Sequence, residues 1–226
     1  MNVFLEALAY AELRKIVLPD AYYDKKNEAL RGETFSIASI ESMSVLTDVL
    51  NLLNTQIKEG VSFKDFQDRL KKEELLPQFD ENRLSIIYRT NMQSAFMSGQ
   101  AAKIYDDDYI EYLQYDAIGD TRTRKSHRAF DGYIAPKDDP FWRTHFPPCG
   151  YRCRCGVIAL SKRRAEQRLK NNPPRPEAPP DKGWEYDRTG QDGLQKGLDL
   201  AEENAKAALK QAEKAIEKLL KDLNKG

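Results

Sequence analysis

Apolar side chains recur every three to four positions through the first hundred residues, the signature of amphipathic helices. Val3, Phe4, Ala7, Leu8 and Ala11 predict a helix over residues 2–18, with Pro19 as its stop. Ile37, Ile40, Val45, Val49, Leu52, Leu53 and Ile57 predict a second over 36–58, closed by Gly60. Ser62 is placed to cap a third that carries Phe63, Phe66 and Leu70. Leu84, Ile87, Met92, Ala95 and Phe96 line one side of a fourth, from about Asn82 to Lys103. Residues 1–105 therefore read as a helical bundle.

The pattern changes near Asp106. Tyr109–Tyr115 alternates polar and apolar residues, as a strand does, and Gly156–Leu160 is a short apolar run that reads as a second strand. Between them the chain is rich in Gly and Pro. A short basic helix follows at 161–170. Residues 106–170 thus read as a small β and loop region. Pro173, Pro174, Pro176, Pro179 and Pro180 make 171–192 an extended linker. In 193–226, Ala205, Leu209, Ala212, Ile216, Leu219 and Leu223 form a heptad seam along one long helix. That helix either packs on its own bundle or engages a partner helix or a second copy. The Lys206, Lys210, Lys214, Lys218 stripe reads as its solvated face. The expected class is α+β and predominantly α: an N-terminal bundle, a small Gly/Pro-rich β region and a long C-terminal helix.

Composition removes several chemistries. Among 226 residues there is no run of ~18 apolar positions, so no membrane-spanning helix is expected. Glu6, Glu12, Arg14 and Lys15 interrupt Met1–Leu18 and are wrong for a secretion signal. An intracellular protein, or one assembled inside a cell, is expected. His-Glu-x-x-His, G-x-x-x-x-G-K-[ST] and G-x-G-x-x-G are all missing from the sequence. Lys and Arg together number 36 and equal Asp plus Glu, so whole-chain charge points to no partner. Its distribution is uneven, however. Residues 120–175 hold fourteen Lys/Arg, among them Arg122, Arg124, Arg152, Arg154, Arg163 and Arg164, against five acids. Arginine suits bidentate contact with phosphate or carboxylate. Nucleic acid, an acidic protein partner, or intramolecular pairing with Asp106–Asp108 would each use this charge.

All three cysteines, Cys149, Cys153 and Cys155, lie within seven residues, and both histidines, His127 and His145, are near in sequence. An odd count cannot be wholly paired in intrachain disulfides. Cys153 and Cys155 are two apart, so on an extended chain both sulfurs face one side. Zinc takes four tetrahedral thiolate and imidazole ligands. The expected set is Cys149, Cys153, Cys155 and His127, with His145 as the alternative histidine. A structural zinc would supply folding energy to loops too rich in Gly and Pro to hold themselves. The plain alternative is three reduced, buried thiols.

Several strings occur in order. Tyr88-Arg89-Thr90-Asn91 is followed by Ala95 and Gly99, and then Asp120, Arg122, Arg124 and His127 by Asp131-Gly132. Asp138-Asp139-Pro140-Phe141-Trp142, Pro147-Pro148 and Cys153-Arg154-Cys155 come next. Weaker echoes are Phe35-Ser36-Ile37-Ala38, Gly60-Val61-Ser62-Phe63 with Phe66, and Asp181-Lys182-Gly183-Trp184-Glu185-Tyr186. Over residues 5–190 this resembles the phage Mu protein F family of minor head (head-morphogenesis) proteins. Two positions depart from the family pattern. Cys149 stands where relatives often carry Asn, and Asp187-Arg188 where an Asn-Pro often follows the closing aromatic.

The resemblance implies a non-enzymatic minor head (capsid) protein of a tailed phage or prophage. It would act at the portal vertex during head morphogenesis, with portal and capsid or scaffold proteins as partners and DNA as a further contact. It would reside in the virion, and in host cytoplasm during assembly. The competing reading is a ribonuclease-like or nucleotidyl-modifying toxin domain. There His127 would be the general acid/base and Arg89, Arg122 and Arg124 would stabilise the developing charge.

Overall fold

The computed structural model describes residues 3–24, 31–60, 62–187 and 189, all within one compact unit of residues 1–191. The expected tail helix and its heptad seam lie outside the described residues.

The first helix is shorter than its apolar pattern suggests. α1 spans Val3–Leu13, and the chain then turns extended as β1, Lys15–Ile16. Pro19 does not stop a helix but opens α2, Pro19–Tyr23, in the first turn, where a missing N–H costs nothing. β1 pairs in parallel with β2, Thr34–Phe35. The second predicted helix also starts later than expected. α3 spans Met43–Glu59, with Ser42 Oγ accepting the Val45 N–H. Ile37 and Ile40 are buried, but from the turn before α3, so burial there mimics helical period without a helix. Gly60 closes α3 at φ +66°, a conformation that favours glycine.

α4, Phe63–Lys72, has the expected cap: Ser62 Oγ accepts the Asp65 N–H and the Asp65 carboxylate accepts the Ser62 N–H. α5, Glu81–Asp106, starts behind Asp80, which accepts the Arg83 N–H at 2.7 Å. α3, α4 and α5 share a core that includes Leu46, Leu53, Phe66, Leu70 and Ile87. α1 lies against α5 at Gly99, where a Cβ would sit 2.6 Å from the Ala7 nitrogen.

The sheet after α5 has three antiparallel strands in the order β4-β3-β5. β3 is Tyr112–Asp116, β4 is Ile134–Pro136, and β5 is Gly156–Leu160, as its apolar run predicts. Strand alternation gives the sheet two buried faces. Leu113, Tyr115, Ala135 and Val157 join Met97, Ala101 and Ile104 of α5 in one core. Ile134, Ile158 and Leu160 turn the other way and are covered by α8, Lys162–Leu169, through Ala165 and Leu169. The sequence pattern missed β4 and two short helices, α6 at Lys125–Phe130 and α7 at Phe141–His145. Each is too brief to show a period. Trp142 and Phe130, both fully buried, anchor these turns.

Residues 171–187 are tied down at several points. The Asn172 side chain bonds both backbone groups of Ile134. The Asp181 N–H reaches the Cys149 carbonyl at 3.0 Å. Trp184 packs edge-on against Tyr151. The architecture is α+β, about half helical with small sheets.

Candidate metal centre

α6 contributes one turn, and that turn carries His127 inward. Phe130 on the same turn stacks beside the imidazole, with ring centroids 5.8 Å apart. The loop from α7 to β5 contributes the cysteines. His Nδ1 lies 3.6 Å from Cys153 Sγ and 3.7 Å from Cys155 Sγ. The ligand atoms of these three buried residues all fall within 4.8 Å of one another, so the group could hold a metal ion. The donor set of two thiolates and an imidazole is the one zinc prefers. The Cys153 thiol hydrogen-bonds to Cys155. That contact holds the proton on Cys153 above the ordinary thiol range and lets Cys155 ionise below it.

The other face of His127 is equally specific. Nε2 is buried, has no hydrogen-bond partner, and faces Asp181 Oδ1 at 3.6 Å. A carboxylate behind the distal nitrogen of a ligating histidine fixes its tautomer and raises its basicity. Asp181 is held by Arg124, whose Nε lies 3.1 Å from Oδ2. Gly150 makes room for it, since a Cβ there would sit 2.1 Å from Asp181 Oδ2. Sequence reasoning had Asp181 only as the start of a closing motif. Its role beside His127 depends on chain return, which no spacing reports.

The remaining sequence candidates are placed differently. Cys149 is fully buried next to the group. Its thiol donates to the His145 carbonyl at 3.2 Å, and the Tyr115 hydroxyl reaches its sulfur at 3.7 Å. Burial raises the Tyr115 pKa, so that hydroxyl stays a donor. His145 has both ring nitrogens engaged: Nε2 with the Ala178 carbonyl at 3.0 Å, Nδ1 with Thr144 Oγ1 at 2.8 Å. His127, not His145, faces the sulfurs.

α5 braces the loop from behind. Gln93 Nε2 donates to the Cys155 carbonyl, and Thr90 Oγ1 accepts the Arg152 N–H. Arg152 sits at φ +58° and also donates to the Asn82 carbonyl. Arg154, between the two cysteines, places Nη2 at 2.8 Å from each oxygen of Asp120. That bond and two local ones hold the Asp120 carboxyl well below its usual range. The motif residues Thr90, Asp120, Arg124, His127, Cys153 and Cys155 therefore converge on one place.

Beside them runs an open groove of about 980 Å³. Arg122, Arg124, Arg152 and Arg154 line it together with Arg89, and Ile57, Met92, Ala95 and Phe96 are among its apolar walls. Arg163 and Arg164 do not line it; they are exposed on α8. Arg122 and Arg154 pair with Asp120 and Arg124 with Asp181, not with the Asp106–Asp108 cluster. His127 is buried, at 2% exposed.

The family model described as Phage Mu protein F like protein matches residues 47–158. The putative capsid assembly protein F of Escherichia phage Mu is 30% identical, across 72% of this chain and 41% of that protein. The Mu-like prophage FluMu F protein of Haemophilus influenzae is 31% identical, across 62% of this chain and 38% of that protein. The chain thus spans about two fifths of the length of the curated relatives it matches. No solved structure matches it.

Proposed function

Because this chain belongs to the phage Mu protein F-like family, we propose that it is a minor head protein of a tailed phage or prophage, working in capsid assembly at the portal vertex. It is a structural adaptor and not an enzyme. The observation that carries this reading is the convergence of the family's motif residues on a buried Cys/His group. A structural zinc on His127, Cys153 and Cys155, with the adjacent Cys149 as fourth ligand, would clamp α6 to the loop before β5. Metal binding of this kind is folding energy for a region short of regular structure.

The groove is the working surface. Its arginine rim and its apolar wall of Met92 and Phe96 suit an acidic amphipathic segment of a portal, capsid or scaffold protein. DNA would use the same rim, and its binding would weaken steeply with salt. The test is co-purification of the tagged full chain with head proteins during phage assembly. Portal or capsid protein is expected to be retained by the parent and lost with Arg122→Glu plus Arg152→Glu. If the parent retains neither protein at any stage of assembly, this reading is wrong.

A further inference from the structure

A second cavity lies among α1, α2, α5, β2 and residues 184–186, with a volume of about 80 Å³. Arg14 enters it just past the end of α1 and is 8% exposed. Its Nη1 donates to Asn91 Oδ1 at 2.6 Å and its Nε to the Ala11 carbonyl at 3.4 Å. Its Nη2 is buried with no partner. Ser36 lines the same cavity, and its hydroxyl is likewise buried without a partner. Arg31 and Arg83 are also on the wall, and no Asp or Glu is among the lining residues. Among the described lining residues, the formally charged side chains are thus all arginines. Tyr10 and Phe35 rings flank the Arg14 guanidinium at 5.7 and 5.2 Å, which softens its desolvation without neutralising it.

A buried cation without a counter-ion is costly, and proteins seldom keep one unless something pairs with it. The ligand complementary to Arg14 and Ser36 is an anion with several acceptor oxygens. It must take a donor from Arg14 Nη2 and another from Ser36 Oγ. We propose that this cavity is a binding site for a phosphate group, either free inorganic phosphate or the end of a phosphomonoester. A tetrahedral oxyanion meets a guanidinium and a hydroxyl donor better than any neutral ligand. The space exceeds the ~10–15 Å³ that one water needs and admits such a group. The rings of Tyr22, Tyr151, Trp184 and Tyr186 would border whatever the phosphate carries. Burial depresses the Arg14 pKa when nothing pairs with it, and a bound oxyanion would reverse that.

The experiment is a melting curve and a calorimetric titration of the full chain, purified in phosphate-free buffer. Inorganic phosphate is one arm and adenosine 5′-monophosphate the other. The parent should bind and melt higher in at least one arm. Tighter binding of the nucleotide would assign the site to a phosphomonoester, and equal or weaker binding to free phosphate. Arg14→Met should lose at least tenfold in affinity while melting no lower than the parent without ligand, because it removes an uncompensated charge. Ser36→Ala, a milder change, should weaken binding several-fold. No response of the parent in either arm overturns the proposal. So does parent-like affinity in both variants.

Discussion

At the scale of single residues, the metal group turns on which side chains share one proton or one ion. Cys153 and Cys155 bring their sulfurs together in the loop before β5, and His127 closes the third corner. Elemental analysis of protein purified without added zinc is expected to give about one zinc per chain. Chelation should lower the melting midpoint by about 10 °C, since several kcal/mol of metal binding is lost at ~2–4 °C per kcal/mol. Cys155→Ser should melt like the chelated parent and ignore chelator. Identical melting of parent, variant and chelated protein would mean three plain thiols. Asp181→Asn probes the support behind the ring. It should weaken zinc by ~10–100-fold with the fold kept, the usual cost of losing an outer carboxylate.

At the scale of elements, α5 is the spine. One side takes α1, the next takes α3 and α4, and its C-terminal turns enter the core of the sheet. Its polar residues are distributed accordingly. Asn91 meets Arg14, Thr90 and Gln93 hold the cysteine loop, and Tyr88 packs against Phe63 and Phe66. Gly99 permits the close approach of α1. Gly99→Val forces a side chain into Ala7 backbone and should destabilise the protein by ~1–3 kcal/mol, the ordinary cost of overpacking. Denaturant melts would measure this. A neutral result would mean that α1 contributes nothing to the described unit.

At the scale of the whole molecule, the described residues end near 189 and the compact unit at 191. Trp184 is buried, and the Gly183 carbonyl accepts from Arg31, so the folded part continues past the prolines. Truncation after Gln191 should therefore leave the melting midpoint unchanged within ~2 °C. Truncation after Asn172 should lower it, because Asp181 and Trp184 go with the segment. Equal midpoints in the two truncations would place residues 173–191 outside the cooperative unit.

Local chemistry settled a good deal in advance. α4 and its cap, α5, β5 and α8 follow from side chains within a few positions of one another, so neighbours in sequence sufficed to read them. The cysteine pair and a nearby histidine were legible for the same reason, and so was the family. The early end of α1, the late start of α3 and the pairing of β1 with β2 were not, because burial of Ile37 and Ile40 by distant helices imitates a helical period. Asp181 behind His127, the arginines gathered on one groove and the burial of the Arg14 guanidinium were decided only in three dimensions. Each depends on chain segments far apart in sequence meeting across a packed core, and residue order carries no measure of that distance.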